Sequence, residues 1–185
     1  MSIIKQYHKQ DFLAHKDHSA LSQLIDDQYA KCLGIAYRYC KSDDQANELC
    51  SQCFITTLKN LLAEEEPEEF DENIFVRRFI ICIVKQILNQ RKGELIADTT
   101  IVTSSKRNEA NLFSDSDYYK TLSPQDFIEH LRKLNTIQQI LYNLYCIDQF
   151  KINDIANIIQ HHELSVKSII ERSRFNLISS IKSVV

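Results

Sequence analysis

Residues 136–177 read TIQQILYNLYCIDQFKINDIANIIQHHELSVKSIIERSRFNL, and the spacing of the apolar side chains in this stretch predicts three consecutive helices. Thr136 followed by Gln139 forms a capping-box pattern, and Ile137, Ile140, Leu141 and Leu144 then recur at helical spacing. A polar break at Asp148-Gln149 precedes Ile152, Ile155, Ala156 and Ile159, the buried stripe of a short second helix. The polar turn Gln160-His161-His162-Glu163 leads into a third helix reaching about Ser179. There Val166, Ile169, Ile170, Ser173 and Leu177 form the inward face, while Lys167, Ser168, Glu171, Arg172 and Arg174 point elsewhere. Ala156 supplies the residue without bulk that two short, steeply crossing helices need at their contact. The order is that of a helix-turn-helix.

The wording of this segment resembles the C-terminal domain of bacterial RNA polymerase sigma factors of the extracytoplasmic-function (ECF) group. The matching residues are Ile155-Ala156, Ile159, Ser165-Val166-Lys167-Ser168, Arg172, Arg174 and Leu177, with Leu134, Gln138 and Leu144 where that domain's first helix begins and packs. Gln160 stands at the turn position usually held by Gly, and His162 where Ser usually opens the last helix. A second block, Ala46-Asn47-Glu48-Leu49-Cys50-Ser51-Gln52-Cys53-Phe54, is similar to the family's Ala-x-Asp-Leu-x-Gln-x-x-Phe helix. It keeps the spacing of Ala46, Leu49 and Phe54, with Glu48 at the acid and Ser51 at the Gln. Phe79 to Gln86 looks like a third block of the family's N-terminal domain.

The rest of the chain divides around these blocks. Ser19–Cys40 reads as an amphipathic helix. Ser42 with Gln45 opens a second helix over about Asp43–Leu62, and a third is expected from about Asn73 to Lys92. Between the last two lie residues 64–72, with seven acids among nine residues, expected as a solvated loop. From Gly93 to Leu122 no helical period is visible; Ser123-Pro124 then restarts structure as N-cap and first helical residue. The expectation is therefore an all-α chain of two small helical domains joined by a flexible linker: 1–93, a linker at 94–122, and a helix-turn-helix domain at 123–185. Only two Gly and two Pro in 185 residues agree with long helices.

Composition also limits the chemistry. No Gly-rich phosphate loop, paired metal cluster or nucleophile–base motif is visible, so no catalytic residue, cofactor or metal is assigned. Cys50 and Cys53 make a C-x-x-C without a second pair, and the six cysteines read as small apolar residues in a reducing compartment; the pair His15 and His18 likewise has no partner cluster. No apolar run exceeds the six residues Phe79–Val84, and the first residues lack a signal peptide's apolar core, so a cytoplasmic protein without membrane insertion is expected. Arg78, Lys85 and Lys92 recur every seven residues, flanked by Arg77 and Arg91, as a cationic stripe able to follow phosphates.

The resemblance implies specific partners: core RNA polymerase, promoter DNA and an anti-sigma protein, with the free chain a monomer. Asn47, Glu48, Ser51 and Gln52 would dock on polymerase. Arg77, Arg78, Lys85 and Gln86, with Phe70 or Phe75, would hold the melted promoter strand. In the C-terminal domain Ser165, Lys167, Ser168 and Arg172 would enter the major groove, with His161, His162 and Arg174 nearer phosphates. Residues 124–185 carry seven Lys or Arg against six Asp or Glu, which suits a DNA reader held over its site by a larger enzyme. Three other readings stay open at this level: a sigma-like adaptor that binds polymerase without initiating, a stand-alone helix-turn-helix regulator, and, ranked last, an enzyme whose site leaves no sequence motif.

Overall fold

The computed structural model describes residues 18–63, 71–91 and 122–183, and every regular element among them is helical. In chain order these are α1 (His18–Tyr39), α2 (Asp43–Ala63), α3 (Glu72–Gln90), α4 (Pro124–Lys133), α5 (Thr136–Tyr142), α6 (Ile152–Ile159) and α7 (Glu163–Lys182); α5 runs on into a π-helical turn over Asn143–Ile147. The expected linker, except for Leu122, lies outside the described residues, as do Phe70 and most of the acidic run. None of the described helices is long and apolar enough to cross a membrane.

The helix starts follow local chemistry. The Ser42 hydroxyl accepts from the Gln45 N–H at 3.2 Å, and Ser123 accepts from Asp126 N–H with Pro124 at the first helical position. Asp71, expected in a solvated loop, instead caps α3. Its Oδ1 accepts from Asn73 N–H at 2.7 Å and from Ile74 N–H at 3.3 Å. A carboxylate at this end satisfies orphan donors and faces the positive end of the helix dipole. The cap of α5 is Asn135, whose side chain accepts from Gln138 N–H at 2.8 Å, in place of the expected Thr136. Thr136 lies one residue inside the helix, buried, and its hydroxyl receives the Arg91 guanidinium at 2.7 Å.

The described chain forms two compact units. The first draws its residues from Met1–Tyr37 and Ser42–Val84. Its core takes Leu49, Cys53 and Phe54 from α2, Phe75, Phe79 and Ile83 from α3, and Cys32 and Ala36 from α1. Burial pushes the Cys32 thiol up to about 12 and the Cys50 thiol up to about 11. Thiols so far from ionisation are poor nucleophiles, and both are buried, so they act here as core volume.

The second unit draws its described residues from Arg38–Lys41 and Lys85–Val185. At its centre α5 is buried along its whole length, polar residues included, rather than on one face. Leu131, Leu134, Tyr142, Leu177 and Ile181 form one apolar cluster, with Leu122 packed against it. A polar network serves the rest. Gln139 Nε2 donates to the Arg38 carbonyl at 2.9 Å, and Asn143 Nδ2 donates to the same carbonyl at 2.8 Å. The π-helical turn closes with Asp148 N–H on the Asn143 carbonyl, after which Gln149 adopts a left-handed conformation (φ 55°). Asp148 then accepts Arg38 Nη2 at 2.8 Å, Arg38 Nη1 at 3.3 Å and the Tyr39 hydroxyl at 2.6 Å. Neither Asp148, beyond its place in a polar break, nor Arg38 stands out in the sequence.

Candidate nucleic-acid interface

The stretch from α6 to α7 is shaped by one backbone conformation. α6 ends at Ile159, and Gln160 takes φ 57°, ψ 46°, the left-handed region in which a Cβ meets its own carbonyl. This turn lets the His161 N–H reach the Ala156 carbonyl at 3.0 Å, and His162 becomes the N-cap residue of α7. Gln160, like Gln149, thus stands where glycine would be free of strain. Gln160→Gly is expected to stabilise the C-terminal unit by about 0.5–1 kcal/mol, the relief of left-handed strain outweighing the added freedom of the unfolded chain. Urea midpoints of the two proteins measure it; a lower midpoint for the glycine variant refutes it.

On α7 the inward face is the one read from the sequence: Val166, Ile169, Ile170, Ser173 and Leu177 are all buried. The Ser173 hydroxyl closes on the Ile169 carbonyl at 2.7 Å, so a polar group in this face costs no unpaired donor. The outer face carries Lys167, Glu171 and Arg172 in the open, with Ser165 and Ser168 half-buried at its edges. Two further residues belong to it that sequence reasoning missed. Leu164, in the first turn, is 80% exposed, and Phe175 is 46% exposed. Positions 164, 168, 171 and 175 recur at helical spacing and form one stripe. Their signal was available in the alternation, where two large apolar residues fall out of phase with the inward set.

The flanking candidates separate. His162 is exposed beside the helix start. His161 is half-buried, its Nδ1 at 3.0 Å from the Ile159 carbonyl, and so is partly committed to the turn. Arg174 departs from expectation. Its guanidinium stacks on the Tyr145 ring, 5.9 Å from the centroid, and hydrogen-bonds the Cys146 sulfur. A cation held there braces α7 against the π-helical turn instead of standing out towards phosphate.

In the first unit, Asn47, Glu48 and Gln52 on α2 are exposed, with Gln52 Nε2 donating to Glu48 Oε1 at 3.2 Å. Ser51 is half-buried and lies 2.8 Å from the Tyr29 hydroxyl. One turn beyond Gln52, Ile55 is exposed and extends the same stripe, a residue outside the family motif. On α3, Arg77 and Lys85 are exposed and Arg78 and Gln86 half-buried. Phe75 is 1% exposed and meets Phe54 edge-to-face, so it cannot receive a nucleic-acid base without unfolding its surroundings. Arg91, expected on the cationic stripe, donates to Thr136.

No family model matches this chain, and no curated protein matches its sequence. Among solved structures the chain is similar to the sigma factor RpoE of Bartonella quintana, determined in complex with the anti-sigma factor NepR. The TM-score is 0.54 at 18% identity, over 88% of this chain and 97% of that one. At that identity the likeness concerns the fold alone: the described residues are all-α, in a helical fold similar to that of this sigma factor.

Proposed function

We propose that this chain is a promoter-specificity subunit that binds core RNA polymerase and directs transcription initiation. The observation that carries the proposal is the outer face of α7. It opens after a tight turn from a short helix and presents Lys167, Ser168 and Arg172 above a fully packed inner face. A helix so presented meets the geometry of a recognition helix in the major groove, its first turns towards base edges. The fold likeness to a sigma factor over most of the chain supports the same reading. On this proposal residues 123–185 form the helix-turn-helix domain, 94–122 link it to an N-terminal domain, and Asn47, Glu48 and Gln52 face polymerase. Arg77, Arg78, Lys85 and Gln86 track the melted strand, an anti-sigma protein regulates the chain, and the protein works in the cytoplasm.

Two experiments test this. The purified chain is expected to co-elute with core polymerase of its own host at one-to-one stoichiometry; a folded chain that fails to do so overturns the proposal. Lys167→Ala and Arg172→Ala are expected to lower promoter-dependent run-off transcription by about fivefold or more each, the scale of one good groove contact, without changing co-elution. Loss of polymerase binding in either variant, with the helical signal intact, contradicts the assignment of the two tasks to different surfaces. The seven acids of residues 64–72 and the burial of Phe75 favour one alternative, an adaptor that binds polymerase without melting DNA. Co-elution without any run-off product would establish it.

A further inference from the structure

Leu164 is the most exposed large apolar side chain among the described residues, and it stands at the second position of α7. Its neighbours on that end of the helix, Glu163, Lys167 and Ser168, are all hydrogen-bonding or charged. A leucine side chain can make neither a hydrogen bond nor an ion pair, and the fold leaves this one 80% exposed. The edges of base pairs in the major groove present hydrogen-bond donors and acceptors with one apolar exception, the 5-methyl group of thymine. Lys167 and Arg172, one to two turns further along the same helix, are the residues proposed above for base edges in the major groove, so the helix start enters that groove with them. Glu163, beside Leu164, is repelled by phosphate, which disfavours a backbone-facing placement of this end.

We infer that Leu164 is a specificity-determining residue that reads a thymine methyl group in double-stranded DNA. This rests on the reading of α7 as a recognition helix. It adds a preference that polar residues cannot supply: thymine over uracil at one position. Phe175, just over three turns on, lies too far from the helix start to contact the same base pair (about 16 Å along the axis).

The test uses the full chain bound to core polymerase of its own host and a double-stranded DNA library randomised over the upstream element. Selection with the wild-type complex is expected to return a motif containing a thymine. Replacing that thymine by deoxyuridine removes only the methyl group and is expected to weaken binding about fourfold, the worth of one buried methyl. In Leu164→Ala, whose fold should be unaffected because the side chain is exposed, the same replacement is expected to have no effect, and selection should no longer favour thymine there. A motif whose thymines all tolerate deoxyuridine, or an equal methyl effect in Leu164→Ala, overturns the inference while leaving the recognition helix standing. So does a folded Leu164→Ala variant that no longer binds polymerase, which would make the leucine a protein contact. If no motif is enriched although polymerase is bound, the recognition-helix reading fails and this inference with it.

Discussion

Asp148→Ala is expected to lower the stability of the C-terminal unit by about 3–5 kcal/mol, the scale seen when one partner of a buried ion pair is removed. The reason is the company the carboxylate keeps. Its two oxygens accept two N–H groups of Arg38 and the hydroxyl of Tyr39, and the side chains of Arg38 and Asp148 are only 17% and 10% exposed. Without the carboxylate, a guanidinium and a phenol are left buried with their donors unmatched, and the desolvation they suffered in folding is no longer offset. Asp148→Asn should cost less than alanine, because an oxygen remains for Tyr39 or for one arm of Arg38. Tyr39→Phe should cost about 1.5–3 kcal/mol, the range for a hydrogen bond to a charged group. Urea unfolding followed by circular dichroism measures all three; a loss below about 1 kcal/mol for Asp148→Ala refutes the argument. The same contact fixes an alkaline signature. Burial, and after it the charge of Asp148 and the hydrogen bond to it, hold the Tyr39 hydroxyl well above its ordinary value. The unfolded chain therefore releases this proton first, and the stability tied to Tyr39 is lost as pH rises past about 10.

What could be read from the sequence was whatever depends on near neighbours. Ser42 and Ser123 cap the helices they were expected to cap, and the inward face of α7 follows from apolar spacing alone. The left-handed turn falls at Gln160, where the resemblance had placed a glycine. What escaped depends on residues far apart in the chain. Arg38 and Asp148 are separated by 110 residues, and Gln139 meets the Arg38 carbonyl across 101. No periodicity records such pairings, so α5 looked amphipathic when it is buried all round, with Gln139 Nε2 donating to a distant strip of backbone. The charge of Arg174 was visible but its direction was not, because its partners Tyr145 and Cys146 sit on a π-helical turn that simple helical spacing does not foresee. Asn135 and Thr136 are both competent caps, and sequence alone ranks them poorly; burial of Thr136 and its bond from Arg91 leave the cap to Asn135.

Phe54→Ala is expected to destabilise the N-terminal unit by about 3–5 kcal/mol, as much as the loss of the Asp148 carboxylate costs the C-terminal one. Phe54 is the middle ring of three. It meets Tyr29 edge-on at 5.4 Å and Phe75 edge-on at 5.3 Å, so its removal breaks two aromatic pairs and opens a cavity beside each. Phe54→Leu keeps most of the volume and is expected to cost about 1.5 kcal/mol or less; equal losses in the two variants refute the packing account. This matters for how the resemblance is tested, because Phe54 closes the motif through which polymerase contact is proposed. A variant that loses polymerase binding by losing its fold says nothing about docking. Gln52→Ala and Ile55→Ala, both exposed on the same helix, carry the decision instead. If the α2 face docks on polymerase, these two should weaken co-elution while the urea midpoint moves little. Phe54→Ala should then move the midpoint first, and should recover binding under conditions that restore its fold.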